Sequence, residues 1–210
     1  MIPIQNIYYM LSYAFQVLNE QGYKNIATEQ FNNTGELMAA ILEKGIAIQL
    51  KRGLGKEYIL QTEALSSLRG KIDIAESIKT QSMLRKQLIC TYDEFSVNSI
   101  MNRIIKSTVE LLLRSNISKQ RKKNLRKLMV YFSEVDFIDL YTVNWNVQYN
   151  RNNQTYRMLI SICYLVVKGL LQTQSNGHTK LMDFLDEQRM CRLYEKFILE
   201  YYRKEFKNQF

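Results

Sequence analysis

Along most of this chain, apolar side chains recur at steps of three and four, the spacing that one face of an α-helix imposes, and a single stretch breaks the rule. Pro3 is the one proline among 210 residues, so almost nothing stands in the way of long helices. Ile7, Met10, Leu11, Ala14 and Leu18 predict a first helix capped by Asn6, with Gly22 beyond its end. Leu37, Ala40, Ile41, Ala47 and Ile48 predict a second over about 36–50, preceded by Thr34. Lys51 and Arg52 suit its C-terminal end, and Gly53 stops it. Ile100, Ile104, Thr108, Leu111 and Leu112 predict a third helix, capped by Asn98 or Ser96. Ser118 opens a fourth through a basic run. Residues 156–171 are so apolar that they predict a core helix about 24 Å long. A final helix is expected over about 187–206, with Leu193, Phe197 and Tyr201 on one face and Tyr194, Ile198 and Tyr202 beside it. So broad an apolar face calls for cover on both flanks.

The exception lies between about 54 and 92. Residues 57–62, which alternate imperfectly, and 87–92, rich in β-favouring types, read as strands, with a short helix at 75–78 between them. Farther on, 143–149 alternate around Trp145, which predicts a short strand inside the loop 136–150. Asn150 to Asn153 read as a turn, and 172–180 as a loop. The expected class is α+β: a mainly helical body with a small β-rich insertion.

Composition excludes more than it names. Apolar residues at 46% and charged residues at 23% fit a globular chain rather than a disordered one. No run approaches the roughly 18 apolar residues of a membrane span, and the start lacks a basic flank before an apolar run, so a cytoplasmic location is expected. Cys90, Cys163 and Cys191 show no Cys-x-x-Cys spacing and His178 is the one histidine, which leaves no zinc set and suggests buried thiols. No phosphate-binding loop and no Gly-x-Ser-x-Gly elbow are present. The pairs Asp73/Glu76 and Asp93/Glu94 fit caps and surface ion pairs better than a metal site.

The positive charge has an address. Residues 71–127 carry 13 basic and 5 acidic side chains, most of the net +9. Either an anionic partner or a plain solvated face accounts for it. Lys119, Arg121, Lys122 and Lys123, with Tyr92, Phe95 and Tyr131 as stacking residues, would suit a stand-alone nucleic-acid-binding module.

Six segments in register add a resemblance. They are Ile2-Pro3-Ile4-Gln5-Asn6-Ile7-Tyr8-Tyr9-Met10-Leu11-Ser12-Tyr13-Ala14, Arg69-Gly70-Lys71-Ile72-Asp73, Asn102-Arg103-Ile104-Ile105-Lys106-Ser107-Thr108, the stretch 156–167, Asn176-Gly177-His178 and Leu193-Tyr194-Glu195-Lys196-Phe197. Together the chain resembles the McrC family, subunits of restriction systems directed at modified cytosine. The resemblance implies a partner-binding region over 1–180, with its β-rich element at about 54–92, that engages a McrB-type hexameric GTPase ring and stimulates GTP hydrolysis. It implies that 181–210 form the first helix of a PD-(D/E)xK nuclease domain whose other elements lie beyond Phe210. Glu200, or else Glu195, would be its first acid; the remaining metal-binding set is not complete here. No cofactor is expected on this chain itself: GTP and Mg2+ belong with the partner, and Mg2+ with a complete nuclease domain. Modified DNA would be met through the complex, and the terminal helix could support self-association. For the ring contact, the polar side chains of 51–71 stand out, above all Arg52, Lys56 and Arg69, where guanidinium geometry suits phosphate or carboxylate. Asn102 and Arg103 follow the strand-to-helix turn and read as fasteners between sheet and helix.

Overall fold

The structure is a computed structural model; it describes residues 4–14, 23, 26, 29–31, 33–150, 153, 155–173, 195 and 197–203. Helix α1 (Ile4–Ala14) buries Ile7, Met10 and Leu11 on the expected face. It already runs through Asn6, which therefore sits exposed inside the first turn and does not cap it. Helix α2 (Thr34–Arg52) begins two residues before the sequence expectation, because Asn33 takes the cap: its side chain accepts the Glu36 N–H at 2.8 Å. It stops where expected, at Gly53, with Lys51 and Arg52 in its last turn.

Three antiparallel strands follow, β1 (Glu57–Leu65), β2 (Lys71–Asp73) and, after helix α3 (Ile74–Lys79) and a 3₁₀ turn at Ser82–Arg85, β3 (Leu88–Ser96). Their order is β1-β3-β2, so β3 is central. Two strands were expected and three are present. At three residues β2 is too short to show a period, and β3 outruns its expected end at Tyr92 because Asp93 and Glu94 interrupt the apolar pattern while pairing with Leu60 and Ile59. Asp73 caps α3 by accepting the Glu76 N–H at 2.9 Å. The buried hydroxyl of Ser77 accepts the Ile89 N–H at 2.7 Å and donates to the Asp73 carbonyl at 2.6 Å, tying α3 to the middle strand.

Helix α4 (Ile100–Arg114) is capped by Ser99 rather than by Asn98 or Ser96. Asn98 is engaged elsewhere, donating to Asp136 at 2.6 Å and accepting its backbone N–H at 2.8 Å. Ser118 does cap α5 (Lys119–Met129), accepting the Arg121 N–H at 3.2 Å. Residues 143–149 form no strand. Val143, Trp145, Val147 and Tyr149 still pack against the core, so the alternation in sequence recorded one-sided burial and not ladder pairing. Asn150 and Asn153 close the predicted turn by reciprocal side-chain bonds, and α6 (Tyr156–Thr173) is the expected apolar helix.

The core lies among the helices: Leu37, Ile41 and Ile46 of α2, Ile104 and Leu112 of α4, Leu125 of α5, and Ile162 and Cys163 of α6 are fully buried. Each large apolar side chain so buried contributes roughly 1.5–3 kcal/mol. Among the described residues, none from 57 to 96 joins this core cluster. The sheet keeps its own small interior, where Cys90 is buried beside its cross-strand neighbour Ile72. Cys90 and Cys163 are free thiols, whereas Cys191 and His178 lie outside the described residues.

Candidate functional site

The two ends of the β-rich element are pinned to the helical body by a chain of polar contacts. Asn102, fully buried on α4, donates its amide to the carbonyls of Gly55 at 2.9 Å and Val97 at 2.8 Å. Its carbonyl oxygen accepts the Tyr156 hydroxyl of α6 at 2.8 Å, and that hydroxyl accepts the Gly55 N–H at 2.7 Å. The junction has no room at Gly55, where a Cβ would lie 3.0 Å from the Tyr156 ring. Burial pushes the Tyr156 phenol above its ordinary range, against the bonds from Gly55 and with Asn102. Alongside, Gln49 donates to the Gly53 carbonyl at 2.8 Å and accepts the Thr155 hydroxyl at 2.9 Å. Asn102 thus fastens sheet to helix as its place in the sequence suggested. Arg103 instead donates to the Phe137 carbonyl at 3.2 Å, on the loop after α5.

Beyond that junction the sheet is rich in uncovered apolar groups. Half of the large exposed apolar side chains among the described residues lie between 58 and 95. Tyr58 is 75% exposed and Leu60 67%, on the same sheet face as Phe95, whose ring is 5.0 Å from that of Tyr58. Ile74 and Ile78 of α3 and Met83 and Leu84 of the 3₁₀ turn are exposed as well. Exposed apolar side chains gathered on one sheet face, as Tyr58, Leu60 and Phe95 are, make that face a candidate contact surface.

The three sequence-predicted contact residues do not converge. Arg52 is exposed at the end of α2. Lys56 lies over the Phe95 ring at 5.8 Å, and Arg69 over the Tyr92 ring at 4.0 Å. In the β3 register, residues 92 and 95 point to opposite faces, so the two cations flank the sheet from either side. Tyr92 as the seat of Arg69, and Glu63, which accepts its hydroxyl, escaped the sequence reading. Only strand register joins residues 29 apart.

The basic segment divides similarly. Lys119 and Lys123 are exposed and Lys122 half-buried on α5. Arg121 turns inward, meeting Glu29 at 2.8 Å, Glu43 at 2.9 Å and Glu36 at 3.4 Å. Burial opposes its charge, yet the bonds from Glu43 and Glu29 prevail and raise its pKa. It therefore ties α5 to α2 and does not share an outward surface with the three lysines. Of the proposed stacking residues, Tyr131 and Phe95 are exposed and Tyr92 is covered.

Glu195 is exposed, and Glu200 is paired with Arg203 at 3.1 Å one turn on. Residues 197–203 are helical, with Phe197 against the core and Leu199 and Tyr202 exposed. Asp73 is a cap, Glu76 pairs with Lys79 at 3.3 Å, and Asp93 and Glu94 are exposed on β3. Among the described residues no group of three or more His, Cys, Asp or Glu is placed to hold a metal ion, and no helix is long and apolar enough to cross a membrane.

Comparison with known proteins assigns this architecture. The family model described as McrBC 5-methylcytosine restriction system component matches residues 5–210. The chain belongs to the McrBC family. It is 30% identical over 207 residues to the type IV methyl-directed restriction enzyme EcoKMcrBC of Escherichia coli (strain K12), covering 97% of this chain and 60% of that protein. In fold it is similar to a chain of the cryo-EM structure of the Thermococcus gammatolerans McrBC complex, with a TM-score of 0.62 at 22% identity, covering 96% of this chain and 58% of the other. A refined half-complex from a tetradecameric assembly of T. gammatolerans McrB AAA+ hexamers with bound McrC gives 0.58 at 20% identity, covering 96% of this chain and 48% of that one. The chain therefore spans about 60% of the length of its McrBC relative from E. coli.

Proposed function

We propose that this McrBC-family chain is the McrC-type subunit of a GTP-dependent restriction system, which docks its β-rich element, 57–96, onto a McrB-type hexameric GTPase and stimulates GTP hydrolysis. The observation that carries the reading is a sheet outside the helical core whose exposed apolar side chains and flanking cations have no cover within the described residues. The T. gammatolerans assembly to which the chain is similar holds McrC bound to McrB hexamers, which supports the same partner. GTP and Mg2+ would be bound by the ring. Cleavage of DNA carrying modified cytosine would belong to a PD-(D/E)xK domain that starts at the helix of Glu195 and Glu200, with Mg2+ held by its complete acid set.

Mixing the chain with a McrB-type GTPase ring from the same source and following phosphate release tests the reading. Stimulated turnover and co-migration with the ring are expected. Absence of both binding and any change in turnover would remove the assignment. The stand-alone nucleic-acid reading retains Lys119, Lys122 and Lys123, and makes a different forecast: DNA retention without the ring, falling steeply with salt and lost when the three lysines become glutamine.

A further inference from the structure

We propose that Arg69 is a pre-aimed guanidinium, seated on Tyr92, that receives an oxyanion of the ring-forming partner; Tyr92 is its positioning residue. The proposal rests on the ring-docking reading above and adds the device by which the sheet would engage the ring.

Three independent constraints fix this side chain. The guanidinium carbon sits 4.0 Å from the centre of the Tyr92 ring, the spacing of a stacked cation–π pair. The Tyr92 hydroxyl donates to the Glu63 carboxylate, which anchors the ring from its far end. Gly70, at φ 67°, brings the chain so close to β3 that a Cβ there would lie 2.7 Å from the Tyr92 Cβ. That left-handed turn delivers the preceding residue over the ring, and a side chain at position 70 would push it away.

What Arg69 lacks is an acceptor. Among the described residues no carboxylate or carbonyl takes its N–H groups, although the side chain is exposed and carries one of the larger rotamer entropies of any residue. Arg121 shows the contrast, with three carboxylates on its fork. A ring on one side accepts no N–H bond from the guanidinium and leaves its fork of donors available, and such a fork binds a carboxylate or phosphate through two parallel bonds. Lys56 over Phe95 is no equivalent, because an ammonium 5.8 Å away on a flexible stem has no fixed direction. An arginine whose orientation is set while its donors stay unmet is built for an anion on another molecule.

The test uses the full chain and its cognate GTPase, comparing wild type with Arg69→Lys, Tyr92→Phe, Tyr92→Leu and Arg69→Lys/Tyr92→Leu. Circular dichroism melting confirms folding in each case. Arg69→Lys keeps charge but loses the fork, and should lower stimulated GTP turnover at least tenfold. Tyr92→Phe keeps the stacking face and should retain half or more. Tyr92→Leu should fall to the level of Arg69→Lys, and the double variant no lower, because both changes remove one device. Ring affinity with GDP and with a non-hydrolysable GTP analogue separates the sources of the oxyanion. A loss confined to the analogue identifies the γ-phosphate, a loss equal with GDP and analogue but absent from the nucleotide-free ring identifies an α- or β-phosphate, and a loss that persists without nucleotide identifies a carboxylate of the ring. Wild-type stimulation with Arg69→Lys or a folded Tyr92→Leu fully active would overturn the proposal while leaving the docking reading in place. If wild type itself neither binds nor stimulates, the docking reading falls first.

Discussion

Asn102 concentrates more structural consequence than any other polar side chain described. Replacing it with alanine leaves the Gly55 and Val97 carbonyls and the Tyr156 hydroxyl without their partner. Buried polar groups stripped of partners cost about 1–3 kcal/mol each when water is excluded. Asn102→Ala should therefore lower stability by about 3 kcal/mol in urea titration, and Tyr156→Phe by about 1–2 kcal/mol. Cys163 supplies a pH dependence. Burial pushes its thiol up to about 12 from 9.0. Between those values the unfolded chain releases a proton that the folded chain retains, so stability is intact below pH 9 and falls as pH climbs toward 12. The slope from this group is about 1.4 kcal/mol per pH unit, and Cys163→Ala should flatten the alkaline limb of a stability–pH curve by that amount. Asn102 stood out in sequence for its position after the turn; its partners at 55 and 156 did not, since they meet it only through the fold.

At the scale of elements, helices were readable wherever an apolar stripe persisted, as in α2, α4 and α6, and their starts were misread where two capping residues competed. Asn33 against Thr34 and Ser99 against Asn98 are decided by where the backbone turns extended, which side-chain chemistry alone does not fix. The strand β2 was missed for its brevity, and 143–149 were read as a strand because half-burial of any extended segment leaves the same alternation. Arg121 belongs to this scale too, since it joins α5 to α2 through Glu36 and Glu43, with Glu29 before α2. Arg121→Met should destabilise the protein by about 2–4 kcal/mol, by leaving partly buried carboxylates unpaired. Replacing Lys119 and Lys123 with glutamine should move the urea midpoint by no more than the experimental scatter. If the arginine variant proves equally silent, the α2–α5 tie is not structural.

For the whole molecule, the division between a helical core and a sheet outside it lets the proposed docking face be changed without touching the core. Tyr58→Ser/Leu60→Ser removes exposed apolar surface that supports nothing in the core. The melting temperature should stay within about 2 °C of wild type, a shift worth about 0.5–1 kcal/mol for a chain of this size. Ring association measured by sedimentation should nevertheless weaken at least tenfold. A matching loss of melting temperature would show that the sheet face serves folding instead. The fold class and the family were legible because helical periodicity and motif order survive in a single sequence. The β-rich element was legible only as a region, about 54–92, since which cation sits on which face depends on the pairing of β1 with β3.

The fastening at Gly53, Gly55 and Val97 has a mechanical corollary. A sheet bolted at its root to α4 and α6 through Asn102 and Tyr156 would pivot, if pushed, about that polar knot. Directional hydrogen bonds of that kind would carry such a push into the helical bundle as torque, where an oily seam would let the surfaces slip.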